Sequence, residues 1–141
     1  MVDDFRVHVR SDPRFLRCIR HLVRGWIEAC DPGSEAVDEM VLAVDEACSN
    51  AMRHSYGGRC DRWVELTLRV DDAHLEIRLC DQGTPCPPEQ VQRRELEKPD
   101  PENLKPGGLG VQLMHRAFDE VEFCPEKTQG NCVIMRRKRK R

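Results

Sequence analysis

No run in this sequence approaches 18 consecutive apolar residues, so no segment reads as a transmembrane helix. The opening residues MVDDFRVHVR contain no apolar core of the kind a secretory signal needs, and the expectation is a cytoplasmic protein. Neither sign of charge prevails: 23 Lys and Arg face 25 Asp and Glu, a formal net charge of -2, which argues against direct nucleic-acid binding. None of the eight cysteines forms a Cys-x-x-Cys pair, the tight spacing usual for structural zinc. A chain of 141 residues buries about 70% of its unfolded surface, so it needs no disulfide or metal staple. The cysteines are therefore expected to be reduced thiols. There is no internal repeat and no GxxxxGK[ST] phosphate loop.

What is present reads as one domain over residues 1–141, with a basic tail at 136–141 (RRKRKR). FRVHVR, from Phe5 to Arg10, alternates as a strand does. A helix follows Asp12-Pro13, with Phe15, Ile19, Leu22, Val23, Trp26 and Ile27 on one face. A second helix spans about 35–55 and stops before Gly57-Gly58. Its stripe is Val37, Met40, Val41, Val44, Ala47, Cys48 and Ala51. WVELTLRV and HLEIRLCD alternate cleanly around Asp71-Asp72-Ala73 and predict a hairpin. Val64, Leu66, Leu68 and Val70 share its inner face with Leu75, Ile77, Leu79 and Asp81. Glu65, Thr67, Arg69, Glu76, Arg78 and Cys80 belong to the other face, expected to be wet. The Pro- and charge-rich stretch 82–107 reads as a long loop with a short helix near 89–97. A glycine turn then opens a helix at 107–118, and VEFCPE and NCVIMRRK close the sheet. The fold class is an α/β two-layer sandwich: a mixed, mostly antiparallel sheet with helices on one face.

Three stretches carry complementary chemistry. Glu46 and Asn50 lie one helical turn apart and about 40° apart around the axis, at the edge of the apolar stripe. Glu46 suits a general base, and Asn50 a neutral oxygen ligand for Mg²⁺. Asp81, at the core-facing end of a strand, is expensive to bury without a partner, and it can accept from an exocyclic amine such as that of adenine. Gly83 lets the loop pass close to a base. Gly107, Gly108, Leu109 and Gly110 open a helix whose N–H groups suit phosphate oxygens. Each stretch alone is more often a solvated helix edge, a tight turn or a helix cap.

Together and in order, EACSNAMRHSY, DQGTP and PGGLGVQLM resemble the N box, the Asp-x-Gly-x motif and the glycine box of the GHKL, or Bergerat-fold, ATPases. Within that superfamily the chain is most similar to the anti-sigma factor serine/threonine kinases (RsbW-like), over essentially its whole length. The resemblance implies a histidine-kinase-like ATPase fold, ATP and Mg²⁺, with Glu46 as catalytic base, Asn50 as metal ligand and Asp81 as adenine reader. It places His54, where the family often has His, beside the ATP site in a structural role, and has Gly83 and Gly107 to Gly110 line that site. It also implies partners: a sigma factor held inactive, a STAS-type antagonist phosphorylated on serine, and admits a homodimer. Two positions depart from the family pattern. Cys86 follows the Pro of DQGTP, and Asn131-Cys132 stands where the last strand usually begins with Thr; Asn131 can supply the same hydrogen bond. The alternatives are a nucleotide-responsive binding module without kinase activity, and a metal- or redox-controlled regulator that uses the cysteines. A histidine kinase core fits less well, since no phospho-accepting hairpin precedes the motifs.

Overall fold

A computed structural model of the chain describes residues 4–87, 89, 91, 109–125 and 130–139. Five strands, β1 (Phe5–Arg10), β2 (Trp63–Val70), β3 (His74–Asp81), β4 (Glu120–Pro125) and β5 (Asn131–Lys138), form one sheet in the order β1-β2-β3-β5-β4. Every described pairing is antiparallel, so the sheet is more uniform than the mixed one expected. The helices are α1 (Leu16–Cys30), α2 (Val37–Asn50) and α3 (Leu109–Ala117), with α2 packed against both of the others. No helix among the described residues is long and apolar enough to cross a membrane.

The core forms where the two periodicities meet. Leu66 and Leu68 from β2, and Leu75, Ile77 and Leu79 from β3, are buried with Val23, Ile27, Met40, Val44 and Met114 from the helices. Burying one such side chain stabilises the fold by about 1.5–3 kcal/mol. Asp12 accepts from the Arg14 N–H at 3.0 Å, and Pro13–Phe15 turn once as a 3-10 helix before α1 begins. Proline at this first turn has no N–H to leave unsatisfied.

Three features differ from the sequence reading. The second helix does not stay α-helical to Ser55. After Asn50 it widens into a π turn, Ala51–Ser55, closed by Tyr56 N–H donating to the Ala51 carbonyl at 3.2 Å. Gly57 and Gly58 then end it with φ of 58° and 82°, the left-handed region that glycine alone enters without strain. The far face of the sheet is not uniformly wet either. Thr67 and Glu76 are buried on it, because arginines from both neighbouring strands lie across Glu76. Arg136 Nε donates to Glu76 Oε1 at 2.8 Å. Arg69 Nε stands 2.6 Å from Glu76 Oε2 in a charge contact that lacks hydrogen-bond alignment. Finally, the cysteines are not all reduced: Cys80 and Cys132, paired across β3 and β5, form a disulfide.

The terminal basic run is built into the sheet as far as Arg139. Arg136, Arg137 and Lys138 are residues of β5. Arg137 donates to the Ala117 carbonyl at 2.8 Å, and Arg139 to the carbonyls of Asp71 and Cys30 at 2.8 and 2.9 Å.

Candidate functional site

Between the end of α2 and the ends of β3 and β5 lies a cavity of about 180 Å³. Its polar lining includes Asn50, His54, Asp81 and Asn131; Met114 and Phe123 are among the apolar residues. The fold thus brings an amide from the N-terminal half of the chain to a carboxylate and a second amide from two central strands.

Asp81 ends β3 on the core side, as its parity predicts, and is only 5% exposed. Its Oδ1 accepts from the Gly83 N–H at 2.9 Å and from Asn131 Nδ2 at 3.3 Å. Burial pushes its carboxyl above the usual value of 3.8, while hydrogen bonds from Gly83, Ser55 and Asn131 pull in the opposite direction. Asn131 is the hub of this wall. Its Nδ2 also reaches Ser55 Oγ at 3.1 Å and the Thr84 carbonyl at 2.9 Å, and its Oδ1 accepts from the Cys86 N–H at 2.7 Å. The hydrogen bond expected of Asn131 in place of threonine is therefore present, and Cys86 is drawn to the cavity through its backbone.

Gly83 sits where only glycine fits. A Cβ there would fall 2.6 Å from the Ser55 carbonyl carbon and 2.7 Å from Ser55 Cβ. The next residue, Thr84, donates its N–H to the Ser55 carbonyl at 2.9 Å. The loop after β3 is thus sewn to the π turn that follows α2.

Glu46 and Asn50 share one face of α2, and both are half-buried. The sequence reading missed the residue that joins them. Arg53 Nη2 lies 2.8 Å from Asn50 Oδ1 and 3.3 Å from Glu46 Oε1. The signal was present: Arg53 follows Asn50 by three residues and Glu46 by seven, the spacing of a common helix face. Gly110, in the first turn of α3, packs against Glu46, since a Cβ there would come within 2.6 Å of Glu46 Oε1. Leu109 opens α3, whereas Gly107 and Gly108 lie outside the described residues, as does most of the long loop before them.

An oxygen donor such as Asn50 suits Mg²⁺, a hard cation that keeps several waters and binds mainly through substrate phosphates. Among the described residues no cluster of three His, Cys, Asp or Glu could hold a metal by itself. The donor set therefore fits a cation that arrives with a phosphate ligand, and it does not fit a resident structural metal.

Residues 9–137 match the protein family described as the histidine kinase-like ATPase domain. The chain is 31% identical to the serine-protein kinase RsbW of Bacillus pumilus, over 86% of this chain and 78% of that protein. It is 28% identical to RsbW of Bacillus velezensis, over 95% of this chain and 84% of that one. It is 29% identical to the anti-sigma F factor of Halalkalibacterium halodurans, over 84% and 80%. Among solved structures it resembles a chain of the SiaB-SiaC complex from Pseudomonas aeruginosa, with TM-score 0.72, 12% identity, and 95% of this chain and 89% of that one covered.

Proposed function

Because the chain belongs to the histidine kinase-like ATPase family and, within it, to the RsbW serine-protein kinases, we propose that it transfers the γ-phosphate of ATP to a serine of an antagonist protein. The observation that carries this reading is the meeting of Glu46, Asn50 and Gly110 at one edge of the cavity that Asp81 closes. Asp81 reads adenine by accepting from its amine, and Asn131 holds that carboxylate in place. Asn50 would hold Mg²⁺, which when bound neutralises charge on the transferring phosphoryl group. Glu46 takes the proton of the serine hydroxyl. Arg53 engages its Oε1, so the proton goes to Oε2. Positioning and charge complementarity supply most of the rate. His54 lines the cavity and shapes it. Gly107 and Gly108, with Leu109 and Gly110, complete the phosphate cradle. Relatives named serine-protein kinase and anti-sigma F factor support a STAS-type antagonist as phosphate acceptor and a sigma factor as the sequestered partner.

The direct test is incubation with γ-labelled ATP and a STAS-domain protein. Label on a serine of that protein is the expected result. Nucleotide binding without transfer would favour a switch module that lacks kinase activity.

Asp81 yields a prediction with a pH signature. Its acceptor role needs the ionised carboxylate, and burial raises the pH at which that form is lost. ATP affinity should therefore fall on acidification at a higher pH than an ordinary aspartate would impose. The effect on folding has the opposite sign. The folded state takes up this proton more readily than the unfolded chain, so Asp81 opposes folding most at neutral pH and least once it is protonated. Asp81→Asn should weaken ATP binding by about 1–3 kcal/mol and abolish the acid limb. Calorimetric titrations across the acid range, with ATP and GTP compared, measure both effects. Equal affinity of the unsubstituted protein for the two nucleotides would remove the adenine-reading role.

Gly110→Ala separates fold from chemistry. Alanine is the better helix former by about 1 kcal/mol, so thermal stability should hold or rise. The new methyl group occupies space now filled by the Glu46 carboxylate, which must shift. Misplacement of about 1 Å costs up to about 10²-fold in rate, so phosphoryl transfer should fall well below that of the unsubstituted protein. A thermal melt beside a transfer assay checks this, and unchanged transfer would separate Gly110 from Glu46.

A further inference from the structure

Three cysteines with no part in the proposed chemistry stand in one row across the sheet. Cys132 on β5 is the register partner of Cys80 on β3 and also of Cys124 on β4. Directly opposed residues of antiparallel strands project from the same face, with Cα atoms about 4.5–5.5 Å apart, inside the span a disulfide bridges. Cys80 and Cys132 are already joined, at a Cα–Cα distance of 4.2 Å. All three are half-buried, so small reagents can reach them. The next step of the same ladder is Asp81 opposite Asn131, the pair that walls the cavity, and Cys132 borders that cavity as well.

We propose that Cys80, Cys132 and Cys124 form a thiol–disulfide exchange site, with Cys132 as the shared sulfur, and that its state governs how firmly the Asp81–Asn131 wall is held. Its reagents are hydrogen peroxide and low-molecular-weight thiols. In oxidation, one thiolate attacks a peroxide oxygen and becomes a sulfenic acid, releasing hydroxide. The facing thiolate then attacks that sulfur and expels a second hydroxide. The sum is two thiols and one peroxide giving one disulfide and two waters. In reduction, two external thiols leave as their disulfide and return both protein thiols. In exchange, the Cys124 thiolate attacks Cys132 Sγ, the Cys124–Cys132 bond forms, the Cys80–Cys132 bond breaks, and Cys80 departs as a thiolate with no net change in electrons.

The covalent tie lies one residue from the end of the β3–β5 ladder, where pairing is otherwise free to fray. Fraying would separate Asp81 from Asn131 and lower the fraction of molecules with a formed pocket. Apparent affinity falls by that same fraction. This consequence for nucleotide rests on the reading of the pocket given above, whereas the exchange site itself does not.

The experiment uses the whole chain, oxidised with hydrogen peroxide or reduced with dithiothreitol, with thiols alkylated and mapped by mass spectrometry. Oxidised protein should show the Cys80–Cys132 cross-link. Oxidised Cys80→Ser protein should show Cys124–Cys132 instead. Absence of both cross-links overturns the exchange site. Hydrogen exchange on the unsubstituted chain, which needs no variant to fold, reads the wall. Residues 81–86 should exchange about tenfold faster after reduction, and equal protection in the two states overturns the link to the wall. ATP affinity should fall about 3–10-fold on reduction. If cross-links and protection behave as expected but neither state binds ATP, the exchange site and its hold on the wall stand and the nucleotide reading fails.

Discussion

Glu46→Gln protein is expected to bind Mg²⁺–ATP as the unsubstituted chain does and to phosphorylate its partner about 10²–10⁴-fold more slowly. Glutamine keeps the length of the side chain and an oxygen that accepts from Arg53, so the arrangement around Asn50 is preserved. What is lost is the capacity to take a proton. A loss of that size is about 3–5 kcal/mol of transition-state stabilisation. The competing view makes Glu46 an ordinary helix-edge residue in a half-exposed ion pair, whose removal shifts stability by at most about 1 kcal/mol and leaves activity alone. Nucleotide affinity and single-turnover transfer, measured on one preparation, decide between them. Transfer at the unsubstituted rate would end the general-base assignment.

Asn50→Ala should fail differently. The substitution removes the oxygen proposed to ligate Mg²⁺, and with it the 2.8 Å acceptor of Arg53. The Mg²⁺-dependent part of ATP affinity should fall by at least about tenfold, the least that weakening a metal's surroundings costs elsewhere, and turnover should fall with it. Binding of nucleotide without metal, carried by Asp81 and the cavity wall, should persist. Titrations with ATP in Mg²⁺ and in a chelator separate the two contributions. Unchanged Mg²⁺-dependent affinity would detach Asn50 from the metal. The two variants together test why a carboxylate and an amide share one turn of α2: the first should lose chemistry with binding kept, the second should lose both.

Much of this arrangement is legible in the sequence because it depends on local periodicity. The alternation in 63–70 and 74–81 fixes which residues of β2 and β3 point inward, and the same parity delivers Asp81 to the core. The 3.6-residue spacing of Met40, Val44, Ala47 and Cys48 places Glu46 and Asn50 at the edge of the buried stripe. The hidden features depend on register between distant strands. Parity put Cys80 on the outer face, but only the β3–β5 register sets it opposite Cys132, 52 residues away. Glu76 likewise has the pattern of a solvated residue, and its burial follows from Arg69 and Arg136 on the neighbouring strands. Arg53 lay within reach of the helix-face argument and was passed over because attention stayed on the motif residues. The π turn has no local signature, since a helical pattern continues through it.

That turn bears on which lengths of chain the fold accepts. A π turn holds one residue more than the α-helical turn it replaces. Removing any residue between Ala51 and Ser55 would restore regular winding and rotate everything downstream by about 100°. Tyr56 could not then donate its hydroxyl to the Trp63 carbonyl, now 2.6 Å away, while accepting from the Gln82 N–H at 2.7 Å. The Ser55 carbonyl would turn away from Thr84, and the loop after β3 would lose its anchor. Reading frame within these five residues is thus a property of the pocket. A single-codon deletion there should do more damage than most substitutions at the same positions.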